Sequence, residues 1–313
     1  MRPARLVGIF AALFILAAPA FLSTYYLGLL TKMLIFALFA MSLDLLLGYT
    51  GLPSLGHVAY FGTGAYTVGL LSLRVVKTFW INALAGLAAP TLVALGFNLL
   101  TIRARGSYFL MITLALAQVL WGIAFGWRSF TGGDDGLPGI ARPMLGGWSM
   151  AGEVPFHYFA VVVFGVCLWL LSVVVRSPLG RALVGIRESE TRMRVLGYNV
   201  WAYQYVASIL AGFFAGVAGV LFVYYNGYVG PAYLSVVVSG QALLMVILGG
   251  AGTLVGPALG AAIIVLLENF LSAYTERWLT ALGIIYVVVT LYAPRGVLGI
   301  LRDRLGGGRR AAT

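Results

Sequence analysis

Long apolar runs separated by short polar breaks organise this chain. Ten runs stand out, at roughly residues 6–23, 26–47, 55–73, 79–101, 108–127, 157–175, 203–225, 233–249, 254–272 and 277–293. Crossing a bilayer as an α-helix takes about 20 apolar residues in succession, and most of the runs approach that length. The pattern predicts an all-α polytopic membrane protein with about ten transmembrane helices. The third run carries Gly56, Gly62, Gly64 and Gly69, which predicts a broken rather than a continuous helix. The first run follows MRPAR and contains Ala18–Ala20. It reads either as a signal peptide with its cleavage site or as an uncleaved first span. The apolar stretch continues to Leu22 and another run follows closely, which favours the span.

The polar breaks set the orientation. Only 9% of residues are charged and 61% are hydrophobic, with a mean hydropathy of +0.99, more than a soluble core needs. The net charge of +11 suggests nucleic acid at first sight. The arginines sit between apolar blocks, however, and the positive-inside rule accounts for them without such a partner. With a cytoplasmic N-terminus, 14 of the 20 Lys and Arg residues lie inside, among them Arg103, Arg105 and the five between Arg176 and Arg194. The C-terminal tail, 295–313, then also lies inside, as does the 176–200 loop. The largest outer loop is 128–156, which contains TGGDDGLPG and could present a surface to an outside partner. The single cysteine, Cys167, says little about compartment.

A faint internal echo is present. Gly48-Tyr49-Thr50-Gly51 precedes the third run, with Pro53 and Ser54 just after, and Gly227-Tyr228-Val229-Gly230-Pro231 precedes the eighth, 179 residues on. In the topology above the first lies at the inner face and the second at the outer face. Runs two to five would then repeat as seven to ten, upside down. Inverted repeats are typical of transport folds, and matched Gly/Pro breaks point to the pathway. Gly51, Ser54, His57, Gly230 and Pro231 are assigned to the pathway on that ground. Gly212 and Gly216 are four apart, as are Gly252, Gly256 and Gly260. Small residues at that spacing let helices approach closely, and packing inside one subunit is favoured over a dimer interface.

Catalytic chemistry has little to stand on. The two histidines, His57 and His157, are far apart in sequence, and no HExxH metal motif occurs. Ser54 lies near His57, but no acid orients that ring, so helix-end polar residues are favoured over a nucleophile pair. No metal site is expected. No GxxxxGK[ST] occurs, so the chain cannot build a phosphate-cradling loop, and Gly132–Gly136 is glycine-rich but acidic. If transport is ATP-driven, the ATPase is another chain. Asp44 and Glu268 fall in apolar runs. A charge in hydrocarbon is costly, so each either serves the pathway or braces helices, or reaches the headgroups from a span end. Gln118, Gln204, Gln241 and Asn98 are equally open.

The segment Ser177–Asn199, SPLGRALVGIRESETRMRVLGYN, is an island of charge between apolar blocks. Pro178 suits a first helical turn, and Gly197 and Asn199 suit a helix stop. Leu183, Ile186, Glu190 and Met193 recur at spacings of three and four, which predicts one weakly amphipathic helix. Such a helix either lies in the interface with arginines on lipid phosphate or forms a peg for a partner's groove.

This island resembles the cytoplasmic coupling segment of LivM-type permeases of branched-chain amino acid ABC transporters. DLLLGYTGLPSLGHVAYFGTGAY (Asp44–Tyr66), RARGSYFLMITLALAQ (Arg103–Gln118), TGGDDGL and VILGGAGTLVGPALGA (Val246–Ala261) resemble the same family in the same order. The resemblance implies a bacterial inner-membrane permease that binds no cofactor and leaves ATP hydrolysis to partners. Those would be a second related permease, two cytoplasmic ATPase subunits and a periplasmic solute-binding protein. It also implies that Gly180, Arg181, Leu183, Ile186, Arg187, Glu188, Leu196 and Gly197 couple to an ATPase. Leu183, Ile186 and Leu196 would form the apolar anchor, and Glu188 with the arginines the polar rim. Typical substrates are leucine, isoleucine and valine, and relatives carry other amino acids, amides or urea. The rival reading is an ion-coupled secondary transporter of a small polar solute. It needs ion ligands near the midplane, and the only candidates, Asp44 and Glu268, lie toward span ends. A membrane-embedded enzyme lacks a convergent catalytic set.

Overall fold

The computed structural model describes residues 3–274, apart from 76, 77, 105 and 146, and isolated positions between 277 and 287. Within them the chain is all-α but for four two-residue strands. The helices are α1 (Pro3–Phe21), α2 (Thr24–Asp44), α3 (His57–Arg74), α4 (Phe79–Thr101), α5 (Ser107–Gly126), α6 (Arg128–Thr131), α7 (Glu153–Arg176), α8 (Pro178–Glu188), α9 (Glu190–Val195), α10 (Val200–Asn226), α11 (Val236–Gly249) and α12 (Val255–Tyr274). A π-helical segment, Leu45–Thr50, prolongs α2.

Among the described residues, six helices are long and apolar enough to cross a membrane: α2 with its π-helical extension, α4, α5, α7, α10 and α12. The protein is thus a multi-pass membrane protein. Shorter α11, at 14 residues, spans about 21 Å at 1.5 Å per residue. The apolar run at 277–293 and the tail 295–313 lie outside the described residues.

Helix α3 is continuous, contrary to the break expected from its glycines. The break falls before it, where Gly51 takes a left-handed φ of +76°. The helix glycines mark close approaches instead. A side chain at Gly62 would meet Leu234, one at Gly64 the backbone of Gly216, and one at Gly69 Val229.

Helices α2 and α10 form the centre, each with 78% of its most apolar window buried, against 22% for α4 and α5 and 17% for α7. Small residues explain why α10 can sit there. Gly212 faces Ala94, Gly216 faces Pro90, and Gly219 faces the backbone of Phe61. With no hydrophobic force between helices in lipid, such contact is what holds them. The spacing of four therefore packs one subunit, as expected. Gly256 and Gly260 likewise face Gly249 and Met245 on α11, whereas Gly252 belongs to the turn before α12. Phe39, Phe61 and Phe222 knit the centre, with ring centroids 4.7 and 5.3 Å apart. Outward-facing Leu84, Leu92 and Trp169, on α4 and α7, are more than 60% exposed, surface that suits lipid or another helix.

The 128–156 segment caps one end of this bundle. Its strand β1 (Leu137–Pro138) pairs antiparallel with the strand after α10, Tyr228–Val229. Arg142 ties it down by bonding Glu153 at 2.5 Å and lying over the Phe156 ring. Helices α8 and α9 occupy the opposite end.

Candidate functional site

At the α8 end, three elements meet on one carboxylate. Asp44, fully buried at the end of α2, accepts from the Gly252 N–H at 2.7 Å and from the Leu254 N–H at 3.1 Å. Hydrogen bonds to an ionised acceptor are roughly twice as strong as neutral ones. Here they clamp a turn that L-residues resist: Gly252 has a φ of +79° and Leu254, alone among the described non-glycine residues, a positive φ of +59°. Persistence of a strained residue requires over-determining neighbours, and Asp44 is one.

Beyond Asp44 the backbone widens into the π-helical segment. Thr50 Oγ1 donates to the Leu45 carbonyl at 2.8 Å. The carbonyl of Gly48 accepts from the Arg187 guanidinium of α8. There is no room for side chains here: a Cβ on Gly48 would strike Asp44 and Gly252, and one on Gly252 would strike Arg187 and Gly48. The Arg187 charge also acts on Asp44. One knot thus joins α2, the α11–α12 turn and α8.

The charged island folds as two helices rather than one. Ser177 Oγ accepts from the Gly180 N–H at 3.4 Å to start α8. Gly180 lies against the carbonyls of Val174 and Val175, which lets α8 turn sharply off α7. Ser189, in extended conformation, breaks the run and caps α9, its Oγ accepting from the Arg192 N–H at 3.3 Å. Gly197, at φ +86°, ends α9 as expected, with the Tyr198 N–H reaching back to the Met193 carbonyl at 3.0 Å. Gln204 donates to Glu190 at 3.1 Å and moors α9 to α10. Leu183 and Ile186 are 0% and 2% exposed. They anchor α8 to its own chain, which corrects their expected place on the partner-facing side. Val195 and Leu196, at 83% and 65% exposed, are the apolar surface left outside, beside exposed Arg181, Glu188 and Arg192.

At the other end a cavity of 560 Å³ lies between α2, α10, α11 and α12. Tyr25, Asn226, Ala232 and Ser235, at or near the ends of their elements, line it together with apolar Leu29, Phe36 and Phe222. Lys32 on α2 and Glu268 on α12 meet in it at 3.4 Å, each about one-quarter exposed. Tyr233 accepts from Asn226 at 3.2 Å.

The family described as "Branched-chain amino acid transport system / permease component" matches residues 25–293. The chain belongs to this permease family. It is 29% identical to the high-affinity branched-chain amino acid transport system permease protein LivM of Escherichia coli, over 94% of this chain and 75% of that one. It is equally 29% identical to LivM of Salmonella typhimurium, over 92% and 73%. The E. coli permease protein LivH matches at 23% identity, over 84% and 91%. These relatives are transport permease subunits, not enzymes. No solved structure matches.

The permease does not gather its six candidate pathway residues, the five assigned from the sequence echo and Asp44. Asp44, Gly51, Ser54 and His57 lie toward the α8 end, whereas Gly230 and Pro231 lie beside the 128–156 cap, next to Gly136. Ser54 and His57 are buried, with His57 Nε2 2.8 Å from Ser42 Oγ. None of the six lines the cavity. Asp44 braces helices, and Glu268 pairs with Lys32, so neither is explained by reaching the headgroups. Sequence reasoning passed over Lys32 as a site. The signal was present: a lone lysine inside an apolar run, with a lone glutamate inside another.

Proposed function

We propose that this permease forms the membrane pathway of an ATP-driven importer of branched-chain or related amino acids, with amides or urea as further candidates. A second related permease, two cytoplasmic ATPase subunits and a periplasmic binding protein complete the complex. The chain itself holds no cofactor, and ATP is hydrolysed by the partners. Both termini lie in the cytoplasm of a bacterium, the membrane is the inner one, and 128–156 faces the periplasm, where exposed Asp134 and Asp135 meet the binding protein.

The observation that carries this reading is the Arg187 link. A short charged helix pair outside the spans is fastened by one guanidinium to one of the two most buried helices of the bundle. Coupling between distant sites needs an element whose two arrangements both sites bias. ATPase closure, acting on Arg181, Glu188, Val195 and Leu196, displaces α8 and α9. Arg187 carries that displacement to the π-helical end of α2, and Asp44 passes it to the α11–α12 turn. Gly180 serves as the pivot on α7, and Gly197 fixes where α9 ends.

An inverted repeat of ten spans, two to five against seven to ten, fits the packing. Helix α10 packs on α3 and α4, α2 packs on α11 and α12, and α3–α4 and α11–α12 are both close pairs. The first helix of each half ends at a left-handed glycine, Gly51 or Gly227, before a non-helical stretch.

Gentle solubilisation of the tagged chain from its native membrane, followed by identification of what accompanies it, tests the proposal. A nucleotide-binding ATPase and a second permease are expected. A stable preparation without an ATPase refutes it and moves the assignment to an ion-coupled carrier.

A further inference from the structure

The Lys32–Glu268 pair is poorly explained as a strut. Lys32 lies eight residues into α2, about 12 Å along its axis, and Glu268 lies on a membrane-crossing helix. Removing two charges from water is expensive, and a close-fitting apolar pair would hold the helices as well or better. At 3.4 Å the contact is long for a charged pair. Both charges face a cavity of 560 Å³, within the ~300–1,000 Å³ usual for small-molecule sites. The cavity holds one cation, one anion and an apolar aromatic wall, Phe36 and Phe222, with Gln241 and Tyr233 as neutral polar groups.

We infer that this cavity binds a zwitterionic amino acid, with its carboxylate on Lys32, its ammonium on Glu268 and its side chain against Phe36 and Phe222. This deepens the importer reading and rests on it. The charge arithmetic favours such a ligand. An anion alone would face Glu268 and a cation alone Lys32, whereas a zwitterion inserted between them replaces one ion contact with two. A neutral amide satisfies neither charge and leaves the pair closed. In the absence of ligand the two side chains neutralise each other, which keeps the site shut to single ions. The site lies between helices from both halves of the chain, α2 on one side and α10, α11 and α12 on the other. Movement between the halves, driven from the α8 end, therefore changes the separation of the two charges.

The test is uptake of labelled leucine into vesicles holding the complete transporter, with the binding protein supplied, for the wild type, Lys32→Met, near-isosteric Glu268→Gln and the double exchange Lys32→Glu/Glu268→Lys. The amount of each permease recovered with its ATPase corrects for assembly. Both single variants are expected to raise the KM for leucine at least about tenfold, the order of loss when one partner of a buried charge pair is removed. The exchange variant restores an ion pair but reverses its direction, so uptake is not recovered. Wild-type import with unchanged KM in the single variants, or with uptake restored by the exchange, overturns the site and leaves a strut. Absence of import of any zwitterionic amino acid by the wild type refutes the substrate class proposed above, and the site falls with it.

Discussion

Asp44→Asn keeps the size of the side chain and removes its charge. In the native protein two carboxylate oxygens accept from Gly252 and Leu254. The amide can offer one oxygen; its NH₂ then faces the second N–H, donor against donor. Each bond to a charged acceptor contributes about 1.5–3 kcal/mol, and a neutral one about 1. Losing two of the former and gaining one of the latter costs about 2–5 kcal/mol. The turn that loses them contains three residues at positive φ, Gly250, Gly252 and Leu254, so it has its own strain to release. The opening free energy of the 250–255 segment should drop by that amount. Each 1.4 kcal/mol is a factor of ten, which gives roughly 30- to 4,000-fold faster amide exchange at Gly252 and Leu254. Hydrogen–deuterium exchange with mass spectrometry on the detergent-solubilised transporter reads this directly. Peptides from the 128–156 cap serve as the internal reference, since they lie at the opposite end. An acceleration under about threefold at 250–255 would show that packing of Leu254, not the carboxylate, holds the turn.

Gly216→Val should destabilise the bundle by about 1–3 kcal/mol, because a side chain there collides with Pro90 of α4. The single cysteine, Cys167, is 5% exposed, so the onset of its labelling by a thiol-reactive dye on heating should move to lower temperature; an unchanged onset refutes the close approach. Glu188→Arg should leave that labelling curve unchanged, since Glu188 is exposed on α8. Leucine uptake should nonetheless fall about tenfold, as charge reversal at a docking rim mismatches the partner's potential. Full-rate uptake in Glu188→Arg removes it from the coupling surface.

Much of this protein was legible in one dimension. Apolar runs fix the helices because hydrocarbon demands them whatever the neighbours, and nine of the ten runs overlap helices among the described residues. Ser177, Pro178 and Gly197 act through local backbone chemistry, so the ends of the charged island could be read from residue types alone. Spacing by four at Gly212 and Gly216 likewise announced a close helix contact, though not its partner. Ser189 was not legible as a break, since nothing local forbade one continuous helix.

What the sequence left open depends on residues far apart in the chain. Asp44 could have faced lipid headgroups, a pathway or a neighbouring helix; only the fold brings Gly252 and Leu254 to it across more than 200 residues. Leu183 and Ile186 show the periodicity of a sticky face, but which body they stick to is a tertiary matter, and they face their own bundle. Lys32 and Glu268 are 236 residues apart and form a site only because α2 packs on α12. Hydrophobic periodicity is a property of a segment and its solvent. Which charges confront each other is a property of the packing, which no segment contains.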